Sequence, residues 1–182
     1  MDKKKSDYLS KIYYLAETGD TESQKILAYY YTWGSKNLNI KPDDKQAVKF
    51  FKILAEKNDP NYQYILAQFY YAKDNVLEYK KWCKLAADQG HKVAQIYLSM
   101  SYFEIFAGNG DQNSKENGIK YLKLSADNGR NGARMILAQM YFYGIVVNKD
   151  VEKAKEYFKL AKDLQILSFD KYMEILKNWK LI

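Results

Sequence analysis

Few residues in this chain could carry catalysis or hold a metal. Its 182 residues include one histidine, His91, and one cysteine, Cys83. A metal site needs several His, Cys, Asp or Glu ligands at set spacing, and no such spacing occurs. His91 follows Gly90 with no second imidazole and no evident base beside it, so it reads as a turn residue. Cys83 stands where the equivalent residues are Phe51, Leu122 and Phe158, the mark of a small core residue and not of a nucleophile. Carboxylates are scattered, with no pair on a shared face. The stretch GNGDQNSKENG, from Gly108 to Gly118, is glycine-rich but lacks the Gly-Lys-Ser/Thr that cradles phosphate ahead of a helix. It reads as a flexible loop. These residues describe a non-enzyme with no cofactor and no metal.

Lysine is the abundant charged residue. Of 29 basic residues only Arg130 and Arg134 are arginines, and the net charge is +7. Lysines recur in pairs, at Lys49 and Lys52, Lys80 and Lys84, Lys120 and Lys123, and Lys155 and Lys159. Such a ridge could attract acidic partners or nucleic acid. However, Glu56, Glu78, Glu116 and Glu156 are interleaved with it, and nucleic-acid readers concentrate charge and favour arginine. A solvated face is the better account. Lysine over arginine, with much asparagine, isoleucine and tyrosine, points to an AT-rich bacterial genome. A lone cysteine permits no intrachain disulfide. The opening MDKKKSDYLSK has no apolar run after its basic residues, and no window approaches the ~18 apolar residues of a membrane span. A cytoplasmic address is expected, with no membrane partner.

Two families of segments alternate along the chain. The first reads IYYLAETG, FFKILAEKN, WCKLAADQG, YLKLSADNG and YFKLAKD, with aligned anchors Tyr14, Ile53, Leu85, Leu124 and Leu160. The second reads KILAYYYTWG, YILAQFYYA, IYLSMSYFEI and MILAQMYFYG, with anchors Leu27, Leu66, Leu98 and Leu137. From first to second the step is always 13 residues, whereas the return takes 26, 19, 26 and 23. A constant step predicts a packed helix–turn–helix joint, and a drifting one predicts a surface loop that tolerates insertion. In the second family the residue after the anchor is always small (Ala28, Ala67, Ser99, Ala138), as close helix approach requires. Four after it stands a tyrosine each time (Tyr31, Tyr70, Tyr102, Tyr141).

Capping signals agree. Thr21 with Gln24 reads as a capping box, and Asp59 before Pro60 as a helix start. Asp74, Ser114 and Asp150 are candidate N-caps, while Gly90, Gly129 and Asn58 suit left-handed C-terminal positions. The reading is an all-α repeat solenoid of antiparallel helix hairpins, about ten helices in one domain spanning 1–182. It divides into a leading half-repeat 1–20, repeats 21–60, 61–90, 91–129 and 130–164, and a capping helix 165–182 around Met173, with Lys177 where tyrosine is expected.

At LAADQG, LSADNG and ILAQMYFYGIVVNKDVEKAKEYFKLA the chain resembles the Sel-one-like repeat family of the tetratricopeptide-like superfamily. The resemblance runs from about Tyr8 to Lys162, and the second copy departs most, with Ala72 and Lys73 at its loop opening. It implies a right-handed superhelix with the second-family helices on its inner face. It also implies roles as adaptors, signalling or host-interaction factors, or toxin neutralisers. Relatives linked to penicillin carry paired cysteines, which Cys83 alone does not provide.

Opposite the core stripe, the second-family helices show aromatic residues and methionine where a solvated face would be polar. Tyr29 and Trp33, Tyr64, Gln68 and Tyr71, Met100 and Phe103, and Met135, Gln139, Phe142 and Tyr143 make up this candidate groove, with Thr32 and Ile96 beside them. Some of it, above all Tyr71, Phe103 and Phe142, could instead pack between repeats. The expected function is a protein–protein scaffold that holds a partner segment in a concave groove. Neutralising a cognate toxin is the alternative, and lysine-driven nucleic-acid binding a weaker third.

Overall fold

The constant 13-residue step takes the same physical form four times. In a computed structural model, which describes residues 3–161, the helices are α1 (Lys3–Glu17), α2 (Thr21–Trp33), α3 (Asp44–Glu56), α4 (Pro60–Tyr71) and α5 (Val76–Asp88), then α6 (Lys92–Asn109), α7 (Gln112–Asp127), α8 (Asn131–Tyr143) and α9 (Val151–Leu160). Three residues separate first-family from second-family helices at each joint. The middle one is left-handed every time: Gly19, Asn58, Gly90 and Gly129, with φ of 101°, 66°, 87° and 82°. Such a residue ends one helix and turns the chain for the next with little or no side-chain clash. Segment 165–182, with its proposed capping helix, lies outside the described residues.

Helix starts follow the capping logic but shift some of the residues. Asp20, not Thr21, caps α2 by accepting from the Ser23 N–H at 2.8 Å. Gln24 turns instead to the preceding helix. Asn75 caps α5, while Asp74 takes the left-handed position before it (φ 54°). Ser114 donates its backbone N–H to the true cap of α7, Asp111, at 3.0 Å. In each case the carboxylate or amide standing three residues before the free N–H reaches it, and its neighbour does not. Asp59 and Asp150 cap α4 and α9 as expected.

The region from Gly108 to Gly118 overturns its reading as a flexible loop. α6 continues to Asn109 and α7 begins at Gln112, so only Gly110 and Asp111 lie between them. Gly118 is buried inside α7, where an added Cβ would lie 2.4 Å from Cε1 of Phe103. Glycine here serves close packing of an aromatic ring on a helix, not looseness.

The described residues divide into two compact units, one ending at His91 and the other beginning at Lys92. In the first, α1–α5 pack in sequence around Leu27, Phe51, Leu54 and Leu66, all fully buried. Rings of Tyr29, Tyr62 and Phe69 surround Phe51 at centroid distances of 5.6, 6.2 and 5.6 Å. In the second, Leu122, Leu137 and Met140 centre the core, with Ala126, Ala133 and Ala154 at the close approaches. Each buried leucine contributes roughly 1.5–3 kcal/mol. The tyrosine four after the anchor has its own task in three of the four copies. Tyr31 stacks on Phe50, Tyr102 on Tyr121 and Tyr141 on Tyr157, at 6.2, 5.9 and 5.8 Å, tying α2, α6 and α8 each to the helix that follows.

A polar clamp, absent from the sequence reading, holds the joints. Three residues before the second-family anchors stand Gln24, Gln63, Gln95 and Arg134. Gln24 and Gln63 donate through Nε2 to the carbonyls of Ala16 and Ala55, at 2.9 and 3.3 Å, and Arg134 Nε donates to Ala126 at 3.0 Å. These carbonyls end the preceding helices and lack intrahelical partners. The glutamine oxygens in turn accept from Lys57, Gln89 and Asn128, four residues after the next anchor, at 2.8, 2.7 and 3.3 Å. Arg134 has no acceptor to offer and donates instead to Leu160 O at 2.6 Å. Glutamine at one register in three copies was the available signal.

Candidate functional site

The residues first considered for chemistry sit in structural roles. Cys83 is fully buried, and burial pushes its thiol up to about 11, so little thiolate forms at neutral pH. His91 stacks on Tyr64 at 4.5 Å, and burial lowers its pKa below the ordinary imidazole value. Among the described residues no three His, Cys, Asp or Glu side chains gather as a metal site, and no helix is long and apolar enough to cross a membrane. Lysines on the outer faces pair locally with acids, as Lys52 does with Glu56, Lys84 with Asp88 and Lys155 with Glu152. Exposed pairs of this kind contribute about 0.2–1 kcal/mol each.

The aromatic and methionine stripe divides by exposure. In the first unit Trp33 is 77% exposed, Tyr71 62% and Tyr29 44%. Tyr29 leans edge-on against Phe51, and Tyr71 lies 5.2 Å from Tyr79, so both are braced from below and open above. Tyr64 is half-buried against His91. Gln68 is half-buried too, and its Nε2 has no hydrogen-bond partner.

In the second unit Met100 is 50% exposed, while Phe103, Met135, Gln139, Phe142 and Tyr143 are half-buried. Phe103 lies over Gly118, and Phe142 meets Tyr143 edge-on at 5.1 Å with Lys149 Nζ 5.7 Å above its ring. Packing therefore takes up much of Phe103 and Phe142, whereas Tyr71 in the same register stays at the surface. The difference follows from the partner across the hairpin, which is glycine for Phe103 and tyrosine for Tyr71.

The second unit also contains a pocket that sequence reasoning missed. Its volume is about 420 Å³, and it opens between α6 and α8 beside the turn after α8. Met100 and Phe103 belong to the anticipated stripe; Ala107, Ile136, Met140 and Ile145 complete the apolar wall. Ser99 and Glu104 are its polar residues. Glu104, inside the segment IYLSMSYFEI, was passed over among the scattered carboxylates, and Ala107 lies just past that segment.

Comparison with known families matches the Sel1 repeat over residues 21–59, 80–91, 93–129 and 133–165. Among solved structures the chain is similar to a protective antigen present in uropathogenic Escherichia coli strains, which displays an SLR fold. Identity is 28%, the TM-score 0.70, and the match covers 86% of this chain and 33% of that one. It is also similar to a Sel1 repeat protein from Oxalobacter formigenes at 22% identity and a TM-score of 0.67, covering 85% of this chain and 64% of the other. The chain thus spans a third of the first relative and under two thirds of the second. Comparison with curated proteins returns no match.

Proposed function

We propose that this chain, which belongs to the Sel1 repeat family, is a non-catalytic scaffold that binds another protein through the exposed side chains of its second-family helices. The observation that carries this reading is the exposure of Trp33 and Tyr71 on α2 and α4. Large aromatic side chains have few rotatable bonds and much apolar area, so covering them gives binding energy at low entropic cost. Nothing in the fold needs these rings outside. The packing of α2 rests on Leu27 and Ala28, and that of α4 on Leu66 and Ala67.

A partner captured from the source cell and identified by mass spectrometry provides the assay. With that partner purified, Trp33→Ala combined with Tyr71→Ala is expected to weaken affinity at least tenfold, since aromatic hot spots are each worth about 2 kcal/mol or more. Far-ultraviolet circular dichroism should stay unchanged. Equal affinity of variant and parent for that partner would sink the reading.

A further inference from the structure

The pocket of the second unit has features that packing alone does not account for. The first is Ser99. At the small position after the anchor the other copies carry Ala28, Ala67 and Ala138, so the helix contact asks only for a small side chain. Ser99 adds a hydroxyl there, fully buried on the pocket wall, with no hydrogen-bond partner among the described residues. The contrast with Ser125, the serine at the equivalent small position of α7, is direct: its Oγ donates to Lys92 O at 2.7 Å. A buried hydroxyl left unpaired is costly, so an acceptor arriving with a ligand has a ready donor.

The second feature is charge. Glu104 is the one ionisable residue on the pocket lining. The chain holds 29 lysines and arginines against 22 acids, yet none of the described lysines or arginines forms an ion pair with Glu104. An exposed carboxylate at an apolar mouth favours a cation beside whatever enters.

The third is rigidity. Val146, on the rim, holds φ at 65°, a conformation that β-branched residues rarely adopt. The turn is tied by Ile145 N–H to Met140 O at 3.0 Å and by Asp150 N–H to Tyr141 O at 2.8 Å. The rim is therefore set before anything binds, which lowers the ordering cost of binding.

We propose that this pocket seats an apolar side chain of the partner's chain, with a lysine or arginine of the same segment held by Glu104 and a backbone carbonyl accepting from Ser99. This deepens the scaffold reading and rests on it. A peptide segment supplies all three groups at once: an apolar side chain, a carbonyl on the same residue, and a neighbouring cation. Phosphate-bearing partners would be repelled by Glu104. Met100 and Met140 adapt to more than one side-chain shape, so the charge beside the anchor, not its outline, sets the preference.

Fluorescence anisotropy with the full chain tests this. The probes are three labelled Ser/Gly peptides with a central Phe-Leu, flanked by two lysines, two glutamines or two glutamates. The lysine peptide is expected to bind at least tenfold tighter than the glutamate peptide. Glu104→Lys should reverse that order. Ser99→Ala, which restores the residue found in the other copies, should weaken the lysine peptide severalfold and keep the order.

Equal binding of the three peptides, or an order indifferent to Glu104→Lys, overturns the assignment. So does octylamine competing as well as the lysine peptide, since that would make the pocket a site for small amphiphiles. Trp33 and Tyr71 lie in the other unit, which separates the two readings. Partner capture that survives Glu104→Lys but is lost with those aromatic variants leaves the scaffold standing and removes the pocket. Peptide discrimination as expected, with no partner dependence on the aromatic rings, does the reverse.

Discussion

Between Leu27 and Ile53, and again between Leu98 and Leu124, the chain advances 26 residues from a second-family anchor to the next first-family anchor. In the first case α2 stops at Trp33 and the surplus forms residues 34–43. There a 3-10 turn at Lys36–Leu38 and an isolated bridge between Ser35 and Ile40 carry the chain to α3. Gly34 adopts φ 75° against the ring of Pro42, Asn39 is left-handed, and Leu38 plugs the loop. In the second case α6 extends to 18 residues and α7 to 16, and the same surplus becomes helix. No proline or mid-segment left-handed residue interrupts it before Gly110.

Equal length thus produces a loop in one unit and a wall in the other. The wall matters, because the added length of α6 beyond the position where α2 stops brings Ala107 onto the pocket, next to Glu104 at the end of the shared part. Insertion in such a repeat need not go into a loop. Where breakers are missing, it can lengthen the hairpin and deepen the surface beside it.

The sharpest way to break this contrast is to put a breaker where the second connection has none. Ala107→Pro removes an intrahelical hydrogen bond of α6 and should cost about 3 kcal/mol, read from urea unfolding. It should also abolish peptide discrimination at the pocket. If stability were unchanged, the extension would not be helical under those conditions.

A smaller effect is expected at Gly118. Alanine there gains about 1 kcal/mol of helix propensity, but its Cβ collides with Phe103, and overpacking costs about 1–3 kcal/mol. Net destabilisation of about 1 kcal/mol should appear in thermal melts. In a Phe103→Leu background the same change should become neutral or stabilising. A stabilising Gly118→Ala in the parent would show that the ring does not lie over this glycine.

The smallest effect concerns pH. Asp111 begins α7, and hydrogen bonds from Ser114 hold its carboxyl below the ordinary range; Asp20 and Asp150 are lowered in the same way by Ser23 and Lys153. A folded pKa below the unfolded one gives stability that is present above the unfolded value, near pH 4, and is lost as pH falls through the folded one. Asp111→Asn keeps a capping oxygen and removes that titration. Its melting temperature should fall less steeply than the parent's between pH 5 and 2, with the values near pH 7 close together. Parallel slopes would mean the carboxylate is not the titrating cap.

Much of the fold was legible because its determinants are local. The step of 13 needs one turn geometry, and Gly19, Asn58, Gly90 and Gly129 supply it without help from distant residues. The second-family anchors Leu27, Leu66, Leu98 and Leu137 are all buried, as their period implies. The site was less legible. Its aromatic register was visible, but not that Trp33 would stay open while Phe103, on the same stripe, is half-buried over Gly118. Glu104 and Ala107 carry no pattern of their own in the sequence, and Gly118, which suggested a loop, instead admits a ring.

From the amino-acid order alone came the helices, their alternation, the buried stripe and the left-handed joints, all set by hydrogen bonds and side-chain spacing within a few residues. Tertiary structure alone decided which apolar residues face water. The first-family anchors Tyr14, Leu85 and Leu124 are as apolar as their second-family counterparts and yet exposed, and the Ser99 hydroxyl is buried without a partner. The reason is physical: a side chain's own helix fixes its direction, but burial depends on whether a neighbour from elsewhere in the chain arrives to cover it.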